Sequence, residues 1–249
     1  MAFFCYPLDP MGLRAVLFDI DDTLFSTTQF AKVARRNAVR AMVQAGLDLP
    51  EEAILRELEE VLAEFSSNYD HHFDQLLKRL RPKALQELNP ALVVAAGIAA
   101  YHDTKFRELK PFDDVIPLLS DLRKAGVITG IITHGWTIKQ AEKIVRLGLV
   151  PHLDPRAVFI SEQLGISKPN PKIYALALRD LGLAPAEAMY VGDSPGHDIT
   201  PPKSIGMQAV WARRASRYHP GIGDAIPDAV VDDFTALRAH LVSAQGLAL

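Results

Sequence analysis

The chain has 249 residues, enough for one large domain or two modest ones with a full hydrophobic core. Its 27 Lys and Arg residues against 30 Asp and Glu residues give a net charge of −3, which argues against an extended surface for nucleic acid. A hydrophobic fraction of 49% and a charged fraction of 23% exclude a disordered chain.

The single cysteine, Cys5, excludes an internal disulfide and a cysteine-based zinc cluster, and indicates a reducing compartment. The longest apolar stretch, residues 91–101, is too short to span a bilayer and predicts a buried helix instead. Residues 1–10 have neither a cationic region nor a long apolar run, so we expect no signal peptide and a peripheral extension of the fold. We therefore expect a cytoplasmic protein with no membrane partner.

The first regular element is an apolar run over residues 14–18, which predicts a buried strand that ends in an acidic loop. Residues 26–108 then show helical periodicity and almost no strand signal. Pro50 and the pair Asn89 and Pro90 mark helix starts within this segment, because proline fits the first helical turn.

After Lys110 the pattern alternates between apolar strands and helices. The predicted strands are 127–132, 157–160, 188–191, 208–211 and 230–231, and the predicted helices are 138–147, 171–181 and 234–241. Such alternation is typical of an α/β fold with a parallel sheet covered on both faces. We predict an α/β core formed by residues 1–25 and 109–249, with residues 26–108 as an all-helical insertion.

Four polar clusters lie where a predicted strand ends and a loop begins, which is where open α/β sheets bind ligands. If the extended path of the first strand persists, the two aspartates at 19 and 21 face the same way. The clusters are Asp19, Asp21 and Asp22 with Thr23; Thr133, His134 and Gly135; Ser167, Lys168 and Pro169; and Gly192, Asp193 and Ser194 with Asp198.

Gathered in one pocket, these clusters place five carboxylates against one lysine. Like charges at this spacing repel by several kcal/mol, so the pocket requires either a proton or a hard divalent cation, of which the cation is favoured. A site with few carboxylates suits Mg²⁺. The Thr133 hydroxyl, backbone N–H groups beside Gly135 and the Lys168 ammonium fit a phosphate. Each cluster alone is compatible with an ordinary turn or helix start. Together and in this order they indicate phosphoryl transfer through an aspartyl-phosphate.

The chain resembles the haloacid dehalogenase (HAD) superfamily over about residues 13–245. The resemblance is carried by Asp19-Ile20-Asp21-Asp22-Thr23-Leu24, then Thr133, Lys168-Pro169, and Gly192-Asp193-Ser194 with Asp198. It implies a Rossmann-like core, and the helical insertion resembles the cap of subfamily I. Asn68-Tyr69, His72-Phe73 and the stretch 101–106 resemble a narrower branch of HAD hydrolases, the glyceraldehyde-3-phosphate phosphatases.

The resemblance implies a role for each motif residue. Asp19 is the expected nucleophile, and Asp21 the expected general acid/base whose backbone carbonyl joins Asp19 in holding Mg²⁺. Asp193 is an expected metal ligand, and Asp198 is expected to ligate the metal or orient its waters. The expected phosphate-binding residues are Thr133, Lys168 and, through its backbone N–H, His134.

Two positions depart from the family pattern. Relatives commonly carry Asn or Asp where this chain has His134, and small residues where it has Pro201 and Pro202. Neither change removes an essential group, so both affect local geometry and substrate choice rather than the reaction class.

The expected substrate is a small phosphorylated metabolite such as a triose or sugar phosphate, because a helical lid leaves little space. Tyr69, His72 and Phe73 are the candidates for facing it, and the protein is expected to be a monomer or homodimer. A phosphomutase or phosphotransferase would use the same aspartyl-phosphate chemistry. A receiver-like phospho-signalling domain would also combine aspartates, a threonine and a lysine, but has no room for the helical insertion.

Overall fold

The computed structural model describes residues 12–65, 69–80, 89–216 and 225–249. The predicted N-terminal extension, with Cys5, and Asn68 of the resemblance lie outside the described residues. The chain divides into two compact units. One is Thr27–Leu109, and the other comprises the described residues before Thr27 together with Lys110–Leu249.

A six-stranded, fully parallel sheet forms the centre of the second unit. Its strands are β1 (Ala15–Phe18), β2 (Ile128–Thr133), β3 (Val158–Ile160), β4 (Ala188–Gly192), β5 (Gln208–Ala212) and β6 (Ala229–Val231), in the order β3-β2-β1-β4-β5-β6. The chain winds outward from β1 in one direction and then from β4 in the other. The strand order therefore reverses beside β1, and the carboxyl ends of β1, β2 and β4 border the crevice where such sheets bind ligands.

Helices accompany the strands in the chain order that the alternating pattern predicts, so the α/β class is confirmed. They are α5 (Val115–Lys124), α6 (Thr137–Arg146), α7 (Ser161–Leu164), α8 (Lys172–Leu181), α9 (Thr200–Ser204) and α10 (Phe234–Gln245). Every residue of β1 and β4 is buried, as expected for strands covered on both faces. Leu17, Ile132, Tyr174 and Tyr190 belong to one of the core clusters beside the sheet.

The other unit is helical throughout its described part. Its helices are α1 (Thr27–Gln44), α2 (Glu51–Phe65), α3 (His72–Leu80) and α4 (Pro90–Glu108). They pack around a cluster that contains Val39, Met42, Ile54, Leu58, Leu76, Leu77 and Val93. Asn89 caps α4 by accepting a hydrogen bond from the N–H of Ala91.

The prediction of a buried helix over residues 91–101 is only half right. The segment lies within α4, but Leu92 is 68% exposed and Ile98 is 38% exposed. A helix that packs on one side buries only the residues of that face, which in this segment are Val93 and Gly97. The residues of its other faces stay exposed even when they are apolar. Among the helices of the described ranges, none combines the length and apolar character needed to cross a membrane.

Candidate active site

The predicted site residues of the α/β unit converge at the carboxyl end of the sheet. Asp19 directly follows β1, Thr133 is the last residue of β2, and Asp193 directly follows β4. The backbone N–H of Asp19 donates to the carbonyl of Val191 at 2.9 Å, so the loop after β1 is fastened to β4. Asp198 lies in a π-helical turn, Pro195–Ile199, that follows β4.

Three of the acidic residues form a compact buried cluster. Asp19, Asp193 and Asp198 each place one carboxylate oxygen within 4.8 Å of the others. Burial raises the pKa of Asp193 to about 8, and the nearby Asp198 and Asp19 carboxylates act in the same direction. Burial also raises the pKa of Asp19 to about 6, although Lys168 opposes the shift. The charge of the three carboxylates is therefore only partly compensated by Lys168, and their hard oxygen donors fit a divalent cation such as Mg²⁺.

Lys168 lies between two of these carboxylates. Its Nζ donates to Oδ1 of Asp19 at 2.8 Å, to Oδ1 of Asp198 at 2.8 Å and to the Tyr190 hydroxyl at 3.1 Å. Burial alone lowers the pKa of Lys168, but the Asp19 and Asp198 carboxylates hold it above its usual range. The Tyr190 hydroxyl in turn donates to the carbonyl of Ile132 at 2.6 Å. These contacts fix a permanent positive charge beside Asp19.

A close backbone approach positions Asp198. Its Oδ2 accepts a hydrogen bond from the N–H of Ser194 at 2.9 Å. A Cβ on Gly192 would lie only 2.4 Å from Cγ of Asp198, so a side chain at position 192 would displace this carboxylate. The glycine of the fourth cluster is therefore needed for the close approach of Asp198 to the end of β4.

The hydroxyl of Thr133 is buried and unsatisfied within the described part of the chain, as expected of a group that binds a ligand. Its Oγ1 is buried and has no hydrogen-bond partner among the described residues. Buried hydroxyls in proteins are almost always hydrogen-bonded, so this one requires an explanation. An acceptor oxygen of a phosphoryl group beside Asp19 and Lys168 would supply the partner.

The loop after β2 contacts Ser161, which directly follows β3. The N–H of Gly135 donates to Oγ of Ser161 at 2.9 Å. Nδ1 of His134 lies 3.4 Å from the same Ser161 oxygen. Burial lowers the pKa of His134, and the nearby Lys168 and His197 act in the same direction. The contribution of His134 through its own N–H stays a prediction.

Asp21 and Asp22 are not part of the three-carboxylate cluster. The Asp21 carboxylate accepts two hydrogen bonds of 2.7 Å from Lys143 and lies 3.4 Å from Nε2 of Gln140, both on α6. Burial, the Asp198 charge and the Asp21 charge all raise the pKa of Asp19, so the Asp21 carboxylate lies within electrostatic reach of Asp19. The expectation that Asp19 and Asp21 face the same way stays a prediction. β1 ends at Phe18, and Asp22 adopts a positive φ of 56°, so the chain turns after Asp21.

The predicted specificity residues lie together in the helical unit. The ring of Tyr69 stacks on Phe65 at 4.9 Å and meets His72 edge-on at 5.5 Å. Its hydroxyl accepts a hydrogen bond from Gln75 at 2.9 Å, and Phe73 packs against the helical core. These residues form a local aromatic cluster, and their role in substrate choice stays a prediction.

Comparison with known proteins identifies the family. The family profile of haloacid dehalogenase-like hydrolases matches residues 13–206. A glyceraldehyde 3-phosphate phosphatase of Methanopyrus kandleri is 47% identical over 88% of this chain and 93% of its own. One of Methanothermobacter thermautotrophicus is 39% identical over 92% of this chain and 100% of its own. A HAD phosphatase crystal structure from Thermococcus onnurineus superposes with a TM-score of 0.62 at 28% identity, covering 92% and 98% of the two chains. The chain therefore belongs to the haloacid dehalogenase-like hydrolase family.

Proposed function

We propose that this site hydrolyses the phosphate monoester of a small metabolite through a phosphorylated Asp19, with Mg²⁺ in the acidic cluster. The chain is a phosphatase: its family and its relatives named glyceraldehyde 3-phosphate phosphatase support hydrolysis of phosphate monoesters. The observation that carries the proposal is the buried network of Asp19, Lys168, Asp198 and Asp193. It combines a nucleophile, a fixed cation and further metal ligands within one site.

In the first step, a carboxylate oxygen of Asp19 attacks phosphorus, and the bond from phosphorus to the ester oxygen breaks. Asp21 gives its proton to the leaving oxygen. In the second step, Asp21 takes a proton from a water that attacks the same phosphorus, and the bond to Asp19 breaks to release inorganic phosphate. Both steps need the acid and the nucleophile to be separate groups, and the structure gives them different partners.

The charge of the phosphoryl group requires compensation in this buried site. Asp193, Asp198 and Asp19 would hold Mg²⁺, which when bound offsets the repulsion between the Asp19 carboxylate and the phosphoryl oxygens. Lys168 supplies a fixed positive charge beside Asp19, and Thr133 offers a buried hydroxyl to a phosphoryl oxygen. The transition state is thereby stabilised by groups that are already in place.

The substrate class is a triose phosphate or a sugar phosphate of similar size. Two relatives that are 47% and 39% identical are named glyceraldehyde 3-phosphate phosphatase, which supports this class. We assign the helical unit, predicted as residues 26–108, as the cap that selects the substrate, with Tyr69, His72 and Phe73 as its specificity residues. Phosphoryl transfer to a second site on the substrate would need the same residues, and no specific observation favours it over hydrolysis.

A panel of small phosphate esters tests the proposal. The protein should release inorganic phosphate from a triose or sugar phosphate with Mg²⁺ and lose this activity in EDTA. Asp19→Asn should lower kcat by at least about a thousandfold and form no phosphoenzyme, because the nucleophile is removed. Asp21→Asn should form the phosphoenzyme slowly and stall there.

The matched control is Asp180→Asn, which neutralises an exposed aspartate beside Arg179 and should leave turnover unchanged. Near-normal turnover by Asp19→Asn would disprove the covalent mechanism. Full activity in a rigorously metal-free preparation would disprove the role of the acidic cluster as a metal site.

A further inference from the structure

Two residues of α6 hold the carboxylate of Asp21. Nζ of Lys143 lies 2.7 Å from both carboxylate oxygens, and Nε2 of Gln140 lies 3.4 Å from Oδ2. Positions three apart lie on one face of a helix, so both side chains reach the loop after β1 from the same side. Neither residue belongs to the motifs that carry the family resemblance.

Gln140 also ties this carboxylate to the loop that follows β2. Its Nε2 donates to the carbonyl of His134 at 2.8 Å. Both oxygens near Nε2 are acceptors, so the hydrogen-bond network itself fixes the orientation of the amide. Gly135, at a φ of +137°, makes this packing possible, because a Cβ there would lie 2.6 Å from Nε2 of Gln140. The side chain of Gln140 therefore packs between the loop after β2 and Asp21.

The ion pair between Lys143 and Asp21 differs from an ordinary surface pair. It is bidentate, it joins residues 122 positions apart, and both side chains are largely buried, with exposures of 19% and 31%. By contrast, Arg146 and Glu142 on the same helix form a local pair four residues apart, of the kind that contributes only a few tenths of a kcal/mol. The Lys143 pair fixes the position of a loop residue, which a local pair does not do.

We propose that Lys143, supported by Gln140, is a positioning residue that holds the Asp21 carboxylate for proton transfer. The inference rests on the proposed function, in which Asp21 protonates the leaving oxygen and then deprotonates water. Lys143 contacts both oxygens of Asp21, so one contact has to open when that oxygen exchanges the proton, while the other contact keeps the carboxylate in place. Lys143 itself neither gives nor takes the proton. A catalytic group misplaced by about 1 Å can slow a reaction by about a hundredfold, so such a restraint has a measurable effect.

The test compares two esters that differ in their need for a proton. 4-Nitrophenolate leaves without protonation, whereas the alkoxide of glycerol 3-phosphate requires it. In rapid-quench measurements of phosphoenzyme formation, Lys143→Met should slow the reaction of glycerol 3-phosphate by about 10- to 100-fold. The same variant should slow the reaction of 4-nitrophenyl phosphate by less than about threefold, because Asp21 is not needed in that step.

Three further variants complete the design. Lys143→Arg should restore most of the rate with glycerol 3-phosphate, since arginine also binds a carboxylate with two hydrogen bonds. Gln140→Leu should also slow phosphoenzyme formation from glycerol 3-phosphate more than from 4-nitrophenyl phosphate, but by a smaller factor than Lys143→Met. Lys139→Met is the matched control, because Lys139 lies one turn away on α6, over the ring of Trp136 at 4.1 Å, and this variant should react like the wild type with both esters.

Equal losses with both esters in Lys143→Met would overturn the proposal and leave Lys143 a purely structural role. Unchanged rates in Lys143→Met would also overturn the proposal. A faster reaction with glycerol 3-phosphate would overturn it too, because Lys143 would then hinder proton transfer by Asp21. If Lys143→Met does not fold, the split in Gln140→Leu decides. A wild-type protein that forms no phosphoenzyme from these two esters or from the panel of triose and sugar phosphates would refute the proposed function. A reactive wild type with an unaffected Lys143→Met would refute the positioning role alone.

Discussion

Replacing Asp193 by asparagine should stabilise the metal-free protein while destroying its response to metal. Burial and the neighbouring Asp198 and Asp19 carboxylates raise the pKa of Asp193 from its ordinary value of 3.8 to about 8. At pH 7 folding therefore costs free energy, because Asp193 has to take up a proton or bear an unfavourable charge, and a carboxamide of the same shape removes this cost. The backbone carbonyl of residue 193, which accepts a hydrogen bond from the indole of Trp211 at 2.8 Å, is retained in the variant.

The sign and size of the effect follow from proton linkage. A group whose pKa is raised on folding makes the folded state progressively less stable as the pH rises from the unfolded pKa to the folded pKa, here from 3.8 to about 8. Each pH unit in this interval is equivalent to about 1.4 kcal/mol. At pH 7 the penalty removed by Asp193→Asn is therefore at most about 4 kcal/mol, and at pH 5 at most about 2 kcal/mol.

Thermal unfolding in EDTA measures this difference. Because about 1 kcal/mol shifts the Tm of a chain of this size by roughly 2–4 °C, half of the maximal effect should raise the Tm of Asp193→Asn by about 4–8 °C at pH 7. The gain should be smaller at pH 5. Added Mg²⁺ should raise the Tm of the wild type and leave that of the variant nearly unchanged.

The control for charge removal is Asp180→Asn, an exposed position where the change should stay within about 0.5 kcal/mol. A Tm of Asp193→Asn below that of the wild type in EDTA at pH 7 would refute the reasoning. It would mean that the carboxylate is stabilised by its surroundings rather than strained by them.

Three further predictions concern the supports of the site. Tyr190→Phe removes the hydroxyl that accepts from Lys168 and should reduce the free energy of unfolding in urea by about 1–2 kcal/mol, with a lower kcat. Gly192→Ala should displace Asp198, costing about 1–3 kcal/mol and most of the activity, whereas unchanged kinetics would show that Asp198 can shift freely. Burial alone would raise the pKa of Asp114, but an arginine ion pair and a backbone N–H lower it. Asp114→Ala should therefore destabilise the protein at pH 7, and melting curves should converge with those of the wild type as the pH falls below about 4.

The fold was largely predictable because its strands are buried on both faces. Such strands are continuous apolar runs with polar ends, so β1 and β4 could be located to within a residue or two. The ends of helices were also predictable, because they depend on local sequence. For example, α6 was predicted over residues 138–147 and extends over Thr137–Arg146. The order of strands in the sheet depends on crossover connections between distant segments, and the alternating pattern does not contain it.

The acidic cluster was predictable for a related reason. Asp19 and Asp193 directly follow strands that are neighbours in the sheet, so their side chains meet wherever those strands pair. Lys143 and Gln140 could not be found in this way. Lys143 is one of several basic residues on an amphipathic helix, and nothing nearby in sequence distinguishes it from Lys139. Only the tertiary structure shows that one of them reaches a loop more than 100 positions away.

The different partners of Asp19 and Asp21 have a chemical consequence. A nucleophile and an acid/base that shared one environment would repel each other and compete for the same cation. The two carboxylates have different partners: Asp19 is buried against Lys168 in the acidic cluster, whereas Asp21 is 31% exposed and paired with Lys143. Each carboxylate therefore has its own cation. Two aspartates of one motif thus have different electrostatic environments, which suits the different roles proposed for them.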